Sequence, residues 1–255
     1  MIGLSIPETR MKSVLFCTLG GSHEPILKAI ESQRPDYVVF FCTGKDPGTG
    51  RTGSCVQVTS KGSVIRAKAE DATATLPNIP AQAGLAQGTF EAVEVPSDDL
   101  DGGFEAVRRT IERIRLQRPR ARLVADYTGG TKSMSAALVV AALETGTVDL
   151  QLVTGNRGDL VRVLSGTEHV ALASVERLRT RRAIAQALAS WERYAYGEAA
   201  EALDRIALPA DRNLAADLNR ARDLSRAFAA WDRFEHKEAL RLLKPYAPVL
   251  HERLA

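Results

Sequence analysis

Cysteine is scarce in this sequence, and the three that occur, Cys17, Cys42 and Cys55, show no Cys-x-x-Cys spacing. That spacing would mark a zinc site or a redox motif. Two of the three sit in apolar, strand-like runs, so reduced, buried thiols in a cytoplasmic protein are the expectation. Long apolar stretches are missing as well: no run reaches the roughly 18 residues a membrane span needs. Met1 to Arg10 contains Pro7 and two charges, which does not read as a signal peptide. A one-sided charge is also lacking. The net charge of +3 is too small to argue for bulk or duplex nucleic-acid binding, and a small anionic ligand suits such a body better.

What is present is an ordinary globular composition, 45% hydrophobic and 25% charged over 255 residues. That length accommodates one full domain and a smaller second one, at about 150 residues per domain. Short apolar runs alternate with helical periodicity through the first two thirds of the chain. Ser13 to Thr18 predicts a strand that stops at Leu19-Gly20-Gly21-Ser22, and Pro25 then suits the first turn of a helix carrying Ile26, Leu27 and Ile30. Tyr37 to Cys42 predicts a second strand, ending at Thr43. Residues 44–62 are rich in Gly, Ser and Thr and read as a long mobile loop of the kind used for lids or binding. Val64 to Leu76 is expected to be helical, Pro77 to Gly88 irregular, and Phe90 to Val95 a strand. Phe104 to Gln117 predicts an amphipathic helix whose Arg108, Arg109, Arg113 and Arg115 form a solvated face rather than an RNA patch. Gly146 is placed as a helix C-cap, Val148 to Val153 as a strand, and Leu160–Leu164 with Val170–Leu172 as a terminal hairpin.

Strands alternating with helices predict a Rossmann-like α/β fold, a parallel sheet between two helical layers. Its most informative stretch is Asp126-Tyr127-Thr128-Gly129-Gly130-Thr131-Lys132-Ser133-Met134, a strand end, a glycine turn and the first residues of a helix. Glycines let the backbone approach a ligand, and a helix N-terminus offers free N–H groups and a positive dipole end to a phosphate. Lys132 adds a full charge; Thr128, Thr131 and Ser133 add hydroxyls. A nucleotide P-loop fails on spacing, since Thr131 and Asp126 stand where that motif requires glycine. In an open α/β sheet the ligand crevice lies outside the carboxyl ends of the strands. Thr18 to Ser22, Thr43, Thr128 to Ser133 and Thr154 to Arg157 should converge there.

From about Glu176 the composition turns to Ala, Arg, Leu and Glu without strand signals, and a repeat appears at a spacing of 40 residues. Trp191-Glu192-Arg193-Tyr194 is echoed by Trp231-Asp232-Arg233-Phe234, Glu198-Ala199 by Glu238-Ala239, and Leu203 by Leu243. Such a period suggests stacked helical hairpins, with the Trp and Tyr/Phe positions in the core and His236, which matches Tyr196, in a packing role. The domains are therefore expected at 11–175 and 176–255, with the helical part open to a further repeat, a cap or a partner.

With both turns and the tail in view, the chain resembles the CARF-domain proteins of type III CRISPR systems. The residues that carry the resemblance are Thr18-Leu19-Gly20-Gly21-Ser22-His23-Glu24-Pro25, Asp126 to Met134, and Trp231 to Leu240, which looks like the helical linker after CARF domains. The resemblance implies a homodimer that binds cyclic oligoadenylate, cyclic tetra-adenylate or cyclic hexa-adenylate, at its twofold interface, with no metal or other cofactor. It implies ligand contacts from Thr18, Leu19, Gly20, Gly21, Ser22, Glu24, Thr43, Thr128, Gly129, Gly130, Thr131, Lys132, Ser133, Met134, Thr154, Asn156 and Arg157. It also implies a separate effector domain, such as a ribonuclease, nuclease or deaminase, of which the sequence shows no sign. The alternative is a metal-independent ring nuclease in which Thr131, Lys132 and Ser133 act on the ring phosphate, with His23 the one histidine near the first turn. A metabolic nucleotide enzyme ranks last, because no Gly-x-Gly-x-x-Gly follows the first strand and no acidic residue ends the second.

Overall fold

The computed structural model describes residues 12–67, 71–155 and 169–247. The chain divides into two compact units, Met1–Ala173 and Ser174–Ala255.

The first unit is a six-stranded, mostly parallel sheet. Its strands are β1 (Ser13–Thr18), β2 (Tyr37–Cys42), β5 (Phe90–Glu94), β6 (Arg122–Asp126), β7 (Val148–Thr154) and β8 (His169–Leu172). Their order is β5-β2-β1-β6-β7-β8, and only β8 runs antiparallel, pairing Gln151 with Leu172 through Thr154 with His169. Helix α1 (Glu24–Gln33) follows β1, α4 (Leu100–Gln117) follows β5, and α5 (Lys132–Thr145) follows β6. Strands β1 and β2 are apolar on both faces because helices cover both; Leu15, Phe16, Phe40 and Phe41 are fully buried.

Local chemistry explains the helix limits. Pro25 occupies the first turn of α1. Asp99 caps α4 by accepting from Gly102 N, and Gly146 ends α5 at φ 68°, a left-handed conformation that glycine adopts without strain. On α4, Val107, Ile111 and Ile114 face inward. Its solvent side carries Arg108 paired with Glu105 and Glu112, and Arg113 paired with Glu91 across to β5.

Four local expectations are corrected. The described residues of 64–76 form no helix: β3 (Ser63–Ile65) pairs antiparallel with β4 (Leu76–Pro77) in a separate two-stranded sheet. Val64 and Ile65 are β-branched and suit a strand, and both pack against the core of the first unit. Residues 77–88 include a short helix, α3 (Ile79–Gln82), capped by Asn78. The segment 44–62 is not a free loop. Asp46 accepts from Gly48 N and Thr49 N in a tight turn, and α2 (Val56–Thr59) follows. Moreover Cys42 and Cys55 are joined in a disulfide across this segment, with their Cα atoms 4.9 Å apart, which overturns the reading of both as free thiols. Their separation of 13 residues carries no signature; only the fold-back of the chain onto the end of β2 brings them together. Cys17 is free and buried. Of the expected hairpin, Leu160–Leu164 lies outside the described residues, and Val170–Leu172 pairs with β7.

The second unit is helical: α6 (Glu176–Leu188), a 3₁₀ turn (Ala189–Arg193), α7 (Tyr196–Asp204), α8 (Arg212–Asp232) and α9 (His236–Leu243). The repeat is real at backbone level. Tyr194 and Phe234 both adopt positive φ, 58° and 60°, and each donates its N–H to the carbonyl of the tryptophan three residues earlier. Trp191 packs edge-on against Tyr196 and Phe228, and its Nε1 donates to the buried Ser225 Oγ at 3.0 Å. The expectation that the Tyr/Phe positions are core is corrected: Tyr194 is 75% exposed and Phe234 81%, each at a left-handed turn between helices where its ring meets the first residue of the next helix edge-on, Tyr196 and His236. Trp231 is half exposed and stacks edge-on with His236. Among the described residues no helix is long and apolar enough to cross a membrane.

Candidate functional site

Strand order reverses at β1. From it the chain proceeds to β2 and β5 on one side and to β6 and β7 on the other, so the switch point lies between β1 and β6. The two glycine turns follow these two strands, placing them at the crevice where such sheets bind ligands. Thr43 and Thr154 close the neighbouring strands at the same edge.

The two turns interlock. Thr18 Oγ1 donates to Gly129 O at 2.6 Å, and Ser135 Oγ donates to the same carbonyl at 2.8 Å. A Cβ on Gly129 would lie 2.4 Å from Thr18 O, and one on Gly20 would lie 2.9 Å from Gly130 N. Gly130 itself has φ +84°, the left-handed region. The glycines are therefore demanded first by the approach of one turn to the other. Leu19 N donates to Phe41 O at 2.8 Å, which ties the first turn to β2.

Behind the second turn lies a buried polar chain. Asp126 Oδ1 accepts from Thr128 N at 3.0 Å, and its Oδ2 accepts from Gln151 Nε2 at 3.0 Å. Gln151 Oε1 accepts from Gln33 Nε2 at 2.6 Å, linking α1 to β7 and β6. Burial raises the pKa of Asp126 above the ordinary aspartate value, against the opposing effect of these hydrogen bonds. Burial and the nearby Asp126 carboxylate push the Cys17 thiol well up.

In front of the turns a cavity of about 660 Å³ opens. Leu19, Gly20, Gly21, Ser22, Glu24, Thr43, Gly130 and Thr131 of the expected site line it. The remaining expected residues stand elsewhere. Thr18 is fully buried with its hydroxyl committed to Gly129. Thr128 Oγ1 accepts from Val153 N at 2.7 Å, and Met134 is in the core. Gly129 is the buttress between turns, and Thr154 pairs with His169 at the sheet edge. Lys132 and Ser133 open α5 outside the cavity lining; Lys132 is exposed and forms no ion pair among the described residues. Thr131 lines the cavity, but its hydroxyl caps Met134 N and donates to Ser97 O. Asn156 and Arg157 lie outside the described residues.

The structure adds a wall whose residues were not among the expected ligand contacts. Thr52 to Ser54, Val56 and Gln57 form one side of the cavity, and Val64 to Ala67 with the exposed Arg66 form another. Gln57 Nε2 donates to Gly20 O at 2.7 Å, and Thr43 and Ser54 exchange hydrogen bonds, Thr43 N to Ser54 Oγ and Ser54 N to Thr43 Oγ1, each 2.9 Å. His23 is buried at the mouth of α1 and lines the same cavity, with Nδ1 3.6 Å from Glu24. The Gly, Ser and Thr content of residues 44–62 was the one available signal for this wall. Among the described residues no group of three His, Cys, Asp or Glu is placed to hold a metal ion.

The arrangement suits an anionic, hydroxyl-rich ligand: backbone amides at a glycine turn, small hydroxyl side chains, and two cations that form no ion pair among the described residues, Arg66 within the lining and Lys132 outside it. No protein-family model and no curated protein matches the chain. Among solved structures, it is similar to Enterococcus italicus Csm6 bound to cyclic hexa-2'-fluoro-hexa-dAMP. That likeness has a TM-score of 0.55 at 14% identity, over 95% of this chain and 64% of Csm6. A second similarity is to Can2 from Sulfobacillus thermosulfidooxidans in complex with cyclic tetra-adenylate, TM-score 0.39 at 13% identity, over 96% and 68%. The chain thus spans about two thirds of the length of each. What it shares with Csm6 is the fold, a Rossmann-like sheet followed by helices.

Proposed function

We propose that the α/β unit binds cyclic oligoadenylate as the sensor part of a type III CRISPR antiviral effector. The observation that carries this reading is the cavity itself. Two interlocked glycine turns at the switch point form its floor, and backbone amides, hydroxyls and Arg66 face a phosphate-bearing ligand there. The Csm6 structure, bound to a cyclic hexanucleotide, supports the ligand class. A homodimer matches it too, since an isologous interface presents each contact twice to a ring of even symmetry. An effector domain that responds to the sensor completes the proposal, and ligand drives that response only through unequal affinity for two states. Calorimetry with cyclic tetra-adenylate and cyclic hexa-adenylate, alongside sedimentation for the dimer, is the test. Failure of both rings to bind at micromolar concentration would end this reading.

A ring nuclease is the second reading, favoured by His23, the titratable side chain buried in the cavity lining. Against it, the Thr131 hydroxyl is committed to the Ser97 carbonyl, and Lys132 and Ser133 stand outside the lining of this protomer's cavity. The expected outcome is a ring that stays intact over hours in EDTA; a linear product ending in a 2′,3′-cyclic phosphate would restore the nuclease.

A further inference from the structure

The disulfide closes the segment that builds one wall of the cavity. Cys42 ends β2, and Cys55 begins the turn into α2; between and just beyond them lie Thr43, Ser54 and Gln57 of the lining. The wall is also tied by polar bonds, Thr43 with Ser54, Cys55 N with the Thr43 carbonyl and Gln57 with the Gly20 carbonyl, and further on by the buried Val58 of α2; the bonds that reach the cavity side are only partly buried. Water competes for such bonds, but not for a covalent one. Cys42 is fully buried and Cys55 partly exposed, so Cys55 is the more accessible residue of the pair.

We propose that Cys42–Cys55 is a redox latch on the ligand site. Oxidised, it holds the wall against the first glycine turn in binding geometry; reduced, it releases the wall and weakens the ligand. The proposal rests on the cavity being the cyclic-oligoadenylate site. The exchange partner is a low-molecular-weight thiol–disulfide couple. A small thiolate attacks the Cys55 sulfur and expels the Cys42 thiolate, which takes up a proton. A second small thiolate then resolves the mixed disulfide and frees Cys55. Two small thiols become one small disulfide as the protein gains two thiols, and the reverse exchange reseals the latch. In a reducing compartment a bond of this kind is transient and reports the ambient couple. The third thiol, Cys17, is buried in the sheet and takes no part.

The test equilibrates the full chain with reduced or oxidised glutathione. Thiol state is read by mass shift after maleimide, and the wall by amide exchange over residues 43–57. Affinity is measured by calorimetry with cyclic tetra-adenylate and cyclic hexa-adenylate. The oxidised protein should bind at least tenfold more tightly, and reduction should lose exchange protection over the wall but not over β1 or β6. Cys42→Ala with Cys55→Ala should behave as reduced protein under either condition. Equal affinity in two verified thiol states overturns the latch, as does a bond that never forms under the oxidised couple. If neither ring binds in either state yet wall protection follows the thiol state, the ligand reading falls and the latch stands. If protection is unchanged, the latch falls with it.

Discussion

Replacing Gly129 by alanine tests the interlock at the centre of the site. The added Cβ would lie 2.4 Å from Thr18 O and 3.4 Å from Ile26 Cδ1. The first of these is backbone at the end of a central strand, held in register with β2 and β6, so it cannot move away cheaply. Overpacking of this kind costs about 1–3 kcal/mol. Displacing the Gly129 carbonyl also loosens the bonds it accepts from Thr18 and Ser135, about 1 kcal/mol more. The sum is about 2–4 kcal/mol. With a urea m-value of about 2 kcal/mol/M, the unfolding midpoint should fall by roughly 1–2 M. Two glycines serve as comparisons. A Cβ on Gly21 meets nothing within 4 Å, so Gly21→Ala should stay within about 0.5 kcal/mol. Gly146 also faces open space but has φ +68°, so Gly146→Ala should cost about 1–2 kcal/mol through conformation alone. Circular dichroism in urea measures all three. A Gly129→Ala midpoint no lower than that of Gly21→Ala would refute the interlock.

Arg66→Ala should weaken cyclic-oligoadenylate binding at least tenfold by calorimetry while leaving the urea midpoint unchanged, because the side chain is exposed in the cavity lining and forms no ion pair among the described residues; unaltered affinity would place the ring phosphates away from β3. Asp126 has its folded pKa raised, so its contribution to stability is fully present below the ordinary aspartate value and is lost as pH rises through the raised one. Asp126→Asn should remove that dependence, as urea midpoints across pH 3–7 would show, while setting an amide nitrogen against the Gln151 Nε2 donor. Ser225→Ala should cost about 1–3 kcal/mol by stranding the Trp191 indole N–H, whereas Trp231→Ala, on a half-exposed side chain, should cost less than Trp191→Ala in the same assay.

The sequence by itself determined the alternation of strands and helices, the placing of both glycine turns at carboxyl ends of strands, the Gly146 cap and the 40-residue repeat. These are local signals: apolar period, turn residues and caps report burial and backbone conformation within a few residues of themselves. The tertiary structure alone decided what the turn residues do. Thr18 and Gly129 are 111 residues apart, and Thr128 and Val153 are 25 apart, so no local pattern shows that these hydroxyls are spent on backbone rather than offered to a ligand. The same holds for the wall that Gln57 and Arg66 add to the cavity, and for the disulfide that closes it. It holds again for Tyr194 and Phe234, whose aromatic character reads as core while their left-handed backbone turns them to solvent. Composition and period reveal the alternation of elements and their apolar faces; partners distant in sequence are chosen only when the sheet brings its strand ends to one edge.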